Sequence, residues 1–561
     1  MSSRETDDKE KEDIMRKKIT KKLIAYLAVV SMAFGLTACG GSSATGGSST
    51  PKADEAGTTE ADANASTAAT KGEVHIAYSG EPQSFDPVKG TAVATRTITR
   101  AVYEGLLELD GNYEVKCQLC KDYEVSDGGK TWTFNLREGV PFHNGEIMDA
   151  DDVVASLNYW KEMFLTTEYF SSGAEFEKVD DKTVKISFDS PKNLFGYYLS
   201  GQTGFAAIMP KEVVESATEA GVTEYIGTGP YKWAEYKPTQ YVALELFEDY
   251  VGPDFETNGG DAGNRICTIP KVVYEFVTDP ITRVSGVTTG QYDIATDIPY
   301  DSLAQVEATN GVSAYEDWMF SVFVFMNQKV GPFQDENLRK AVRLAIDSEE
   351  MAASGIPNSS YCKLTGSFDS DIFPTWYVAE AEQYVNNKNI EEAKKLVAES
   401  SYDGSELKLI TTDMYPDLKA MTMVMQQQLA EVGINCKVES YDWATTLTKL
   451  WNFDINGNDN YDIYIMSYPY VSAPISSAIL TNPFSIAYSD LSNIAEPFEK
   501  MQIATDEAEI LANWKDVQTI LYEKEMVIKL FDEATVTIAT DKVQNLSNFS
   551  GPVLWGTIVT E

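Results

Sequence analysis

From Gly40 to Lys71 the chain reads GGSSATGGSSTPKADEAGTTEADANASTAATK, without one large apolar side chain. A stretch of this composition cannot bury a core and is expected to stay disordered. As a flexible tether its r.m.s. span would be on the order of 30 Å. Of the 561 residues, those from residue 72 onward must supply the folded body, enough chain for two to four domains at roughly 100–200 residues each. With 43% hydrophobic and 11% aromatic residues the composition is globular.

The segment ahead of the tether has a different character. Met15–Lys22 carries Arg16, Lys17, Lys18, Lys21 and Lys22, and Leu23–Phe34 is apolar. These are the basic and apolar regions of a secretory signal, too short for a comfortable membrane span. Leu36-Thr37-Ala38-Cys39 then resembles a bacterial lipobox. That resemblance implies a signal peptide over residues 1–38, a lipidated Cys39 as mature N-terminus, and a body held outside the cytoplasmic membrane, at the cell surface or on the periplasmic face. An ordinary secretion signal with a chance cysteine is the alternative. Residues 2–14 are acidic and polar, odd in front of a basic region, so Met15 is a candidate initiator.

A formal net charge of −41 repels phosphate backbones and argues against a nucleic-acid partner. Besides Cys39 there are Cys117, Cys120, Cys267, Cys362 and Cys436, an odd number that leaves at least one unpaired in a monomer. Cys117 and Cys120 have the spacing of a zinc half-site or a redox pair, but no second pair completes a four-ligand shell. They read as small buried side chains or as a disulfide.

Catalytic signals are scarce. His75 and His143 stand alone and read as structural. No HExxH, GxSxG or HxxEH is present. Asp149, Asp151 and Asp152 suit a helix N-terminus better than an acid/base pair. Asp454–Asn460 begins like a calcium loop, but Asp459 stands where glycine is needed and Ile465 where the closing glutamate belongs, so it reads as a polar surface loop.

The pattern of the body alternates helices and strands. Val74–Tyr78 reads as a strand and Thr95–Leu107 as a helix. Hairpins are expected around Asp110-Gly111-Asn112 and Asp127-Gly128-Gly129, the latter leading into Thr131–Leu136 with Trp132, Phe134 and Leu136 on one face. Further helices are expected over Ala150–Phe164, Ile281–Thr289, Leu338–Ile346, Ile390–Ala398, Leu418–Val432 and Trp514–Met526. Further strands are expected over Lys182–Phe188, Lys271–Val277, Val322–Met326, Leu407–Thr411, Cys436–Glu439, Ile463–Met466 and Thr535–Ile538. This mixture points to α/β layers.

Several ordered motifs resemble one family. Glu81-Pro82-Gln83-Ser84-Phe85-Asp86-Pro87, Val102-Tyr103-Glu104-Gly105-Leu106, the run Tyr123–Val153, Gly227-Thr228-Gly229-Pro230-Tyr231, Gly290–Ile294, and Pro332–Asp335 with Arg339-Lys340-Ala341 and Ala345-Ile346-Asp347 are similar to the extracellular solute-binding proteins, family 5, of ABC transporters (the oligopeptide, dipeptide and nickel type). The resemblance implies an α/β, two-lobed periplasmic-binding-protein-like fold (type II, large cluster C) with an extra subdomain in the first lobe. It implies lobe I in 72–113, 226–316 and 525–561, an inserted subdomain in 114–225, and lobe II in 317–524. The implied molecule is a monomer that binds a small molecule or oligopeptide between its lobes. It delivers this to the permease subunits of an ABC transporter without chemistry or cofactor, and its lipid links it to the membrane.

By the same resemblance the cleft candidates are Gly90, Thr91 and Ala92 after the Asp-Pro loop, Trp318, Phe320 and Phe323 on one strand, Trp443, and Tyr468 and Tyr470 in a later loop. Aromatic faces offer contact area that tolerates varied ligands; packing in the core is the competing role for Trp318 and Phe323. The sequence departs from peptide-binding members in one respect. They carry an aspartate just after the last loop, where it holds the free α-amine. Here Ser467–Pro474 has no acid, and Ile465 stands near the place of an arginine often found on the preceding strand. A blocked peptide, an oligosaccharide or another uncharged solute is then an alternative ligand, and the lack of later histidines weakens a nickel reading. A secreted hydrolase and a surface adhesin are the rivals, each lacking its diagnostic residues.

Overall fold

The computed structural model describes residues 71–90, 93–163, 173–201, 205–450, 461–469, 473–474, 477, 480 and 490–561. Cys39, Thr91, Ala92, Tyr470, the tether up to Thr70 and the loop Asp454–Asn460 lie outside the described residues.

An eleven-stranded sheet is the frame. Its strands follow in the order Cys436–Tyr441, Leu407–Thr412, Ile463–Pro469, Val312–Met326, Ile528–Thr540, Ile294–Ala295, Glu73–Tyr78, Lys271–Phe276, Tyr241–Leu246 and Tyr231–Lys237, with Cys362–Lys363 pairing onto Ile528–Thr540. Two parallel sets form its halves. Glu73–Tyr78 runs parallel to Lys271–Phe276 and Ile294–Ala295, and Leu407–Thr412 runs parallel to Cys436–Tyr441 and Ile463–Pro469.

The halves are joined by two long antiparallel strands, Val312–Met326 and Ile528–Thr540. Val312–Asp317 lies opposite Thr535–Thr540, and Phe320–Val324 lies opposite Ile528–Glu533. The ladder shifts register twice. Trp318 and Met319 face the single residue Ala534, and Leu530 is the extra residue on the other strand, between Phe531 opposite Val322 and Lys529 opposite Phe323. Such bulges bend a strand and reverse the parity of its side chains. At the second one, Lys529 and Asp532 meet at 2.6 Å although regular alternation would put them on opposite faces.

A separate antiparallel sheet orders Cys120–Ser126, Thr131–Leu136, Thr183–Ser187 and Glu175–Asp180. Trp132, Phe134 and Leu136 are all buried on its inner face, as the alternation predicts. The helix Ala150–Met163 packs against it. Its start is a reciprocal cap: Asp149 Oδ1 accepts from the Asp151 backbone N–H at 2.7 Å, and Asp152 Oδ2 accepts from that of Asp149 at 3.0 Å.

Most expected elements occur, with boundaries moved by a few residues, but the helix expected over Trp514–Met526 runs over Glu507–Glu523, opened by an Asp506 cap, and the strands expected over Val322–Met326 and Thr535–Ile538 are Val312–Met326 and Ile528–Thr540. The helix expected over Thr95–Leu107 differs: it runs only from Val93 to Thr99. The carbonyls of Ala101 and Val102, which would continue it, accept instead from the backbone N–H groups of Tyr231 and Gly229. The Gly227-Thr228-Gly229 segment lies so close that a Cβ at Gly227 would fall 2.1 Å from the Val102 oxygen. Glycine is required there by approach rather than by turn geometry.

Cys117 and Cys120 are joined by a disulfide. Cys267, Cys362 and Cys436 are free, and burial pushes each thiol up to about 12, so they remain protonated. His143 is half-buried with its Nε2 2.9 Å from the Gly229 carbonyl, and Nδ1 accepts from the Gly227 N–H. Burial pushes its pKa down to about 4. His75 lies on the first strand beside Glu275 at 2.6 Å.

Beneath the first half lies a buried charge network. Asp261 is flanked by Arg96 and Arg100, its backbone carbonyl accepts from Arg265 Nε at 2.6 Å, and Arg265 lies 3.0 Å from Glu108. Glu104 accepts from Thr228 at 2.8 Å and from Tyr250 at 2.9 Å. Arg100 also donates to the carbonyls of Gly551 and Pro552, fastening the C-terminal segment to the helix Val93–Thr99 and the turn after it.

Candidate functional site

Parallel strands end together, and a crevice outside their carboxyl ends is where open α/β sheets bind ligands. In the first half those ends lead to Ser79, Val277 and Asp297. The Arg283 guanidinium gathers them, donating to the carbonyls of Val277 at 2.8 Å, Thr296 at 3.0 Å and Asp297 at 2.6 Å. Ser79 hydrogen-bonds the Asp297 carboxylate.

In the second half the ends lead to Tyr415, just before the helix Pro416–Glu431, and to Asp442 and Trp443 at the start of the helix Trp443–Leu450. Trp443 and Tyr415 meet edge to face with centroids 5.2 Å apart. Burial raises the Tyr415 hydroxyl pKa, with Asp297 from the first half and Asp417 adding to it. The carboxyl ends of both halves therefore converge over the middle of the two joining strands.

The sequence-derived candidates are distributed unevenly around this place. Trp443 is half-buried at the convergence. Phe320 and Tyr468 are half-buried on adjacent strands, where Phe320 lies opposite Pro469 and Ser321 opposite Tyr468. Burial pushes the Tyr468 hydroxyl up to about 12. Trp318 is half-exposed at the first bulge; its indole donates to Glu316 at 2.9 Å, and the Lys363 ammonium lies 4.3 Å from its ring centroid. Phe323 is 3% exposed and packs with Phe325 and Phe368, inside the core. Gly90 donates its N–H to Asp86 at 2.9 Å and lies hard against Thr95, so a side chain there would collide.

Sequence reasoning missed the acids of the joining strands. Asp532 is buried and well served: Ser321 donates at 2.6 Å, Thr365 at 2.7 Å and Lys529 at 2.6 Å. Its neighbour Glu533 is 4% exposed; Ser467 donates to Oε1, and among the described residues Oε2 has no hydrogen-bond partner. Burial, then Asp417 and Asp532, push its pKa up to about 8. Asp317, at the first bulge, accepts from the Gly551 N–H at 2.6 Å, and burial pushes it up to about 6. The signal was present: Ile528–Thr540 reads IKLFDEATVTIAT, with two consecutive acids in an otherwise apolar strand.

Comparison with known proteins is decisive here. The model of the bacterial extracellular solute-binding proteins, family 5 (middle), matches residues 114–481. The chain belongs to this family. Among curated relatives of the family 5 chain, the probable peptide ABC transporter periplasmic-binding protein y4tO of Sinorhizobium fredii is 27% identical over 388 residues, covering 68% of this chain and 72% of that protein. The oligopeptide-binding protein AppA of Bacillus subtilis is 25% identical over 493 residues, covering 80% and 83%.

Solved structures share the fold. The substrate-binding protein CtaP of Listeria monocytogenes superposes with a TM-score of 0.75 at 22% identity, covering 88% of this chain and all of that one. AgaA of Agrobacterium tumefaciens, solved with agropinic acid, superposes with a TM-score of 0.73 at 22% identity, covering 87% and 99%. The family 5 fold is thus the two-lobed α/β architecture of periplasmic binding proteins, and the family is one of binding proteins rather than enzymes. Among the described residues no helix is long and apolar enough to cross a membrane.

Proposed function

We propose that this family 5 chain is the lipid-anchored substrate-binding protein of an ABC importer, capturing a peptide-like solute between its lobes and delivering it to a permease. The convergence of Asp297 from one half with Tyr415, Asp417 and Trp443 from the other carries this reading. A solute lodged there touches both halves at once, which is what couples binding to closure. Lobe I then comprises 72–113, 226–316 and 525–561, the inserted subdomain 114–225, and lobe II 317–524. Of the candidates, Phe320, Trp443 and Tyr468 supply apolar contact area and Phe323 supports from behind, while Gly90, Thr91, Ala92 and Tyr470 are ligand contacts on the family resemblance alone. Cys39 carries the acyl chains.

The reading is tested on protein extracted from the membrane of the producing cell. Its N-terminal fragment is expected to carry the added mass of acyl chains on Cys39, and Cys39→Ser to release the protein into the soluble fraction. In a thermal-shift screen, tetrapeptide libraries are expected to raise the melting temperature by mass action while oligosaccharides do not. An unmodified cysteine would remove the anchor from the reading, and stabilisation by oligosaccharide alone would replace the peptide.

A further inference from the structure

Among the described residues near Asp532, Asp369 and Glu533 each keep a buried carboxylate oxygen without a hydrogen-bond partner, and of the two Glu533 is the one on the joining strands. It stands at the middle of the joining strands, opposite Phe320 on one side and Cys362 on the other. Its Oε1 is positioned by Ser467, and its Oε2 is buried without a partner among the described residues. A buried oxygen in that state is costly unless something completes it. The adjacent Asp532 shows that this fold can serve a buried acid fully when the acid is structural, for it holds Ser321, Thr365 and Lys529 together.

The groups facing Glu533 leave it short of positive charge. Asp417 comes from the start of the helix Pro416–Glu431, Asp532 from its own strand, Tyr300 from the helix Tyr300–Glu307, Cys362 from the short neighbouring strand and Ser467 from Ile463–Pro469. Among the described residues the nearby cations are engaged elsewhere. Lys529 is held by Asp532, Thr365 and the Ser367 carbonyl. Lys363 lies over Trp318 and pairs with Asp371 at 3.2 Å.

We propose that Glu533, positioned by Ser467 and assisted by Asp417, is the anionic subsite for a primary ammonium group of the bound solute. This rests on the solute-binding reading above and narrows it to a ligand class. A charge-assisted hydrogen bond from the ammonium completes Oε2 and supplies the counter-charge that the site lacks. The acid thereby lost from the Ser467–Pro474 loop is replaced from a different strand.

Without ligand, burial beside Asp417 and Asp532 keeps Glu533 mostly protonated at neutral pH. Binding of an ammonium makes it a carboxylate. The proton leaves to solvent, the ammonium keeps its three, and the complex carries one proton fewer than the separate partners. Uptake of the solute is therefore coupled to proton release that approaches one near about pH 6 and shrinks towards about pH 7.5, where Glu533 begins to ionise and a free α-amine begins to lose its own proton.

The test uses the full chain and three tetrapeptide libraries devoid of arginine and histidine: free N-termini without lysine, acetylated N-termini without lysine, and acetylated N-termini with one lysine. Titration calorimetry in phosphate and in Tris at pH 7 reads affinity and proton release. The free library is expected to bind with proton release and the acetylated lysine-free library to bind at least tenfold more weakly. Binding of the acetylated lysine library with equal proton release would assign the ammonium to a side chain and support the subsite, whereas its failure would assign it to the α-amine and support it too.

Glu533→Gln is expected to abolish proton release and the preference for the free library; near-ultraviolet circular dichroism checks that it folds. Ser467→Ala is expected to weaken binding several-fold while retaining the release. Equal binding of free and acetylated lysine-free libraries without proton release would overturn the subsite and leave the solute-binding reading intact. Binding of no library would overturn both.

Discussion

The charges around Asp261 and those around Glu533 lie equally deep, yet they are satisfied differently. At Asp261 three arginines meet Asp261, Glu108 and Glu104. Burial works to raise the Asp261 pKa, but Arg96, Arg100 and Arg265 together hold it below the usual carboxylate range. At Glu533 acid faces acid, and the pKa goes the other way, up to about 8. The first network ties the C-terminal segment to the scaffold. The second leaves an acid without a counter-charge where the two halves of the sheet converge, and it keeps its proton instead. Burial alone therefore does not mark a functional acid; burial without compensation makes it a candidate, and position on the joining strands separates Glu533 from the equally unpartnered Asp369.

The largest effect expected from breaking this contrast is at Asp261. Asp261→Asn leaves Arg96, Arg100 and Arg265 facing one another across a dry interior, a loss of about 3–5 kcal/mol. The shift of the urea unfolding midpoint measures it.

Glu533→Gln should act in the opposite direction. The unfolded carboxyl ionises near its ordinary value while the native one holds its proton to about 8. The native state thus binds the extra proton, and stability falls as pH rises across that interval. Without ligand, the variant is expected to exceed the parent by on the order of 1–3 kcal/mol at pH 8.5 and to match it below pH 4. Melting temperatures across that range read the crossover.

The smallest effect is at Ser467. Ser467→Ala removes the one hydrogen bond to Glu533, about 1 kcal/mol at pH 8.5. It should also drive the carboxyl pKa further up, which carbon-13 titration of the glutamate side chains can follow.

Much of the scaffold was legible in the sequence because it is local. The alternation of Trp132, Phe134 and Leu136 announces a half-buried strand, and Asp149 with Asp152 announces a capped helix. The joining strands were read only in part, as Val322–Met326 and Thr535–Ile538. Their remaining residues include Glu316, Asp317, Asp532 and Glu533, which break any apolar pattern until the partners across the sheet are known. The helix after Thr95 was read too long for a related reason: what ends it is a backbone segment some 130 residues away in sequence. At the candidate site, aromatic residues could be nominated from family motifs. Whether Phe323 faces a crevice or a core, and whether an acid finds a base, are decided by neighbours that spacing does not reveal.

The paired register shifts near Trp318 and Leu530 have a mechanical consequence. The ladder is regular on either side, and the short run Phe320–Val322 opposite Phe531–Glu533 is set off between the two interruptions. On the proposed solute-binding reading, angular travel between the jaws would concentrate in this short run, which carries Phe320 and Glu533 and follows Asp317. Cargo settling there, as proposed, would press on the fold line itself, so that occupancy and jaw angle would be read by the same few side chains.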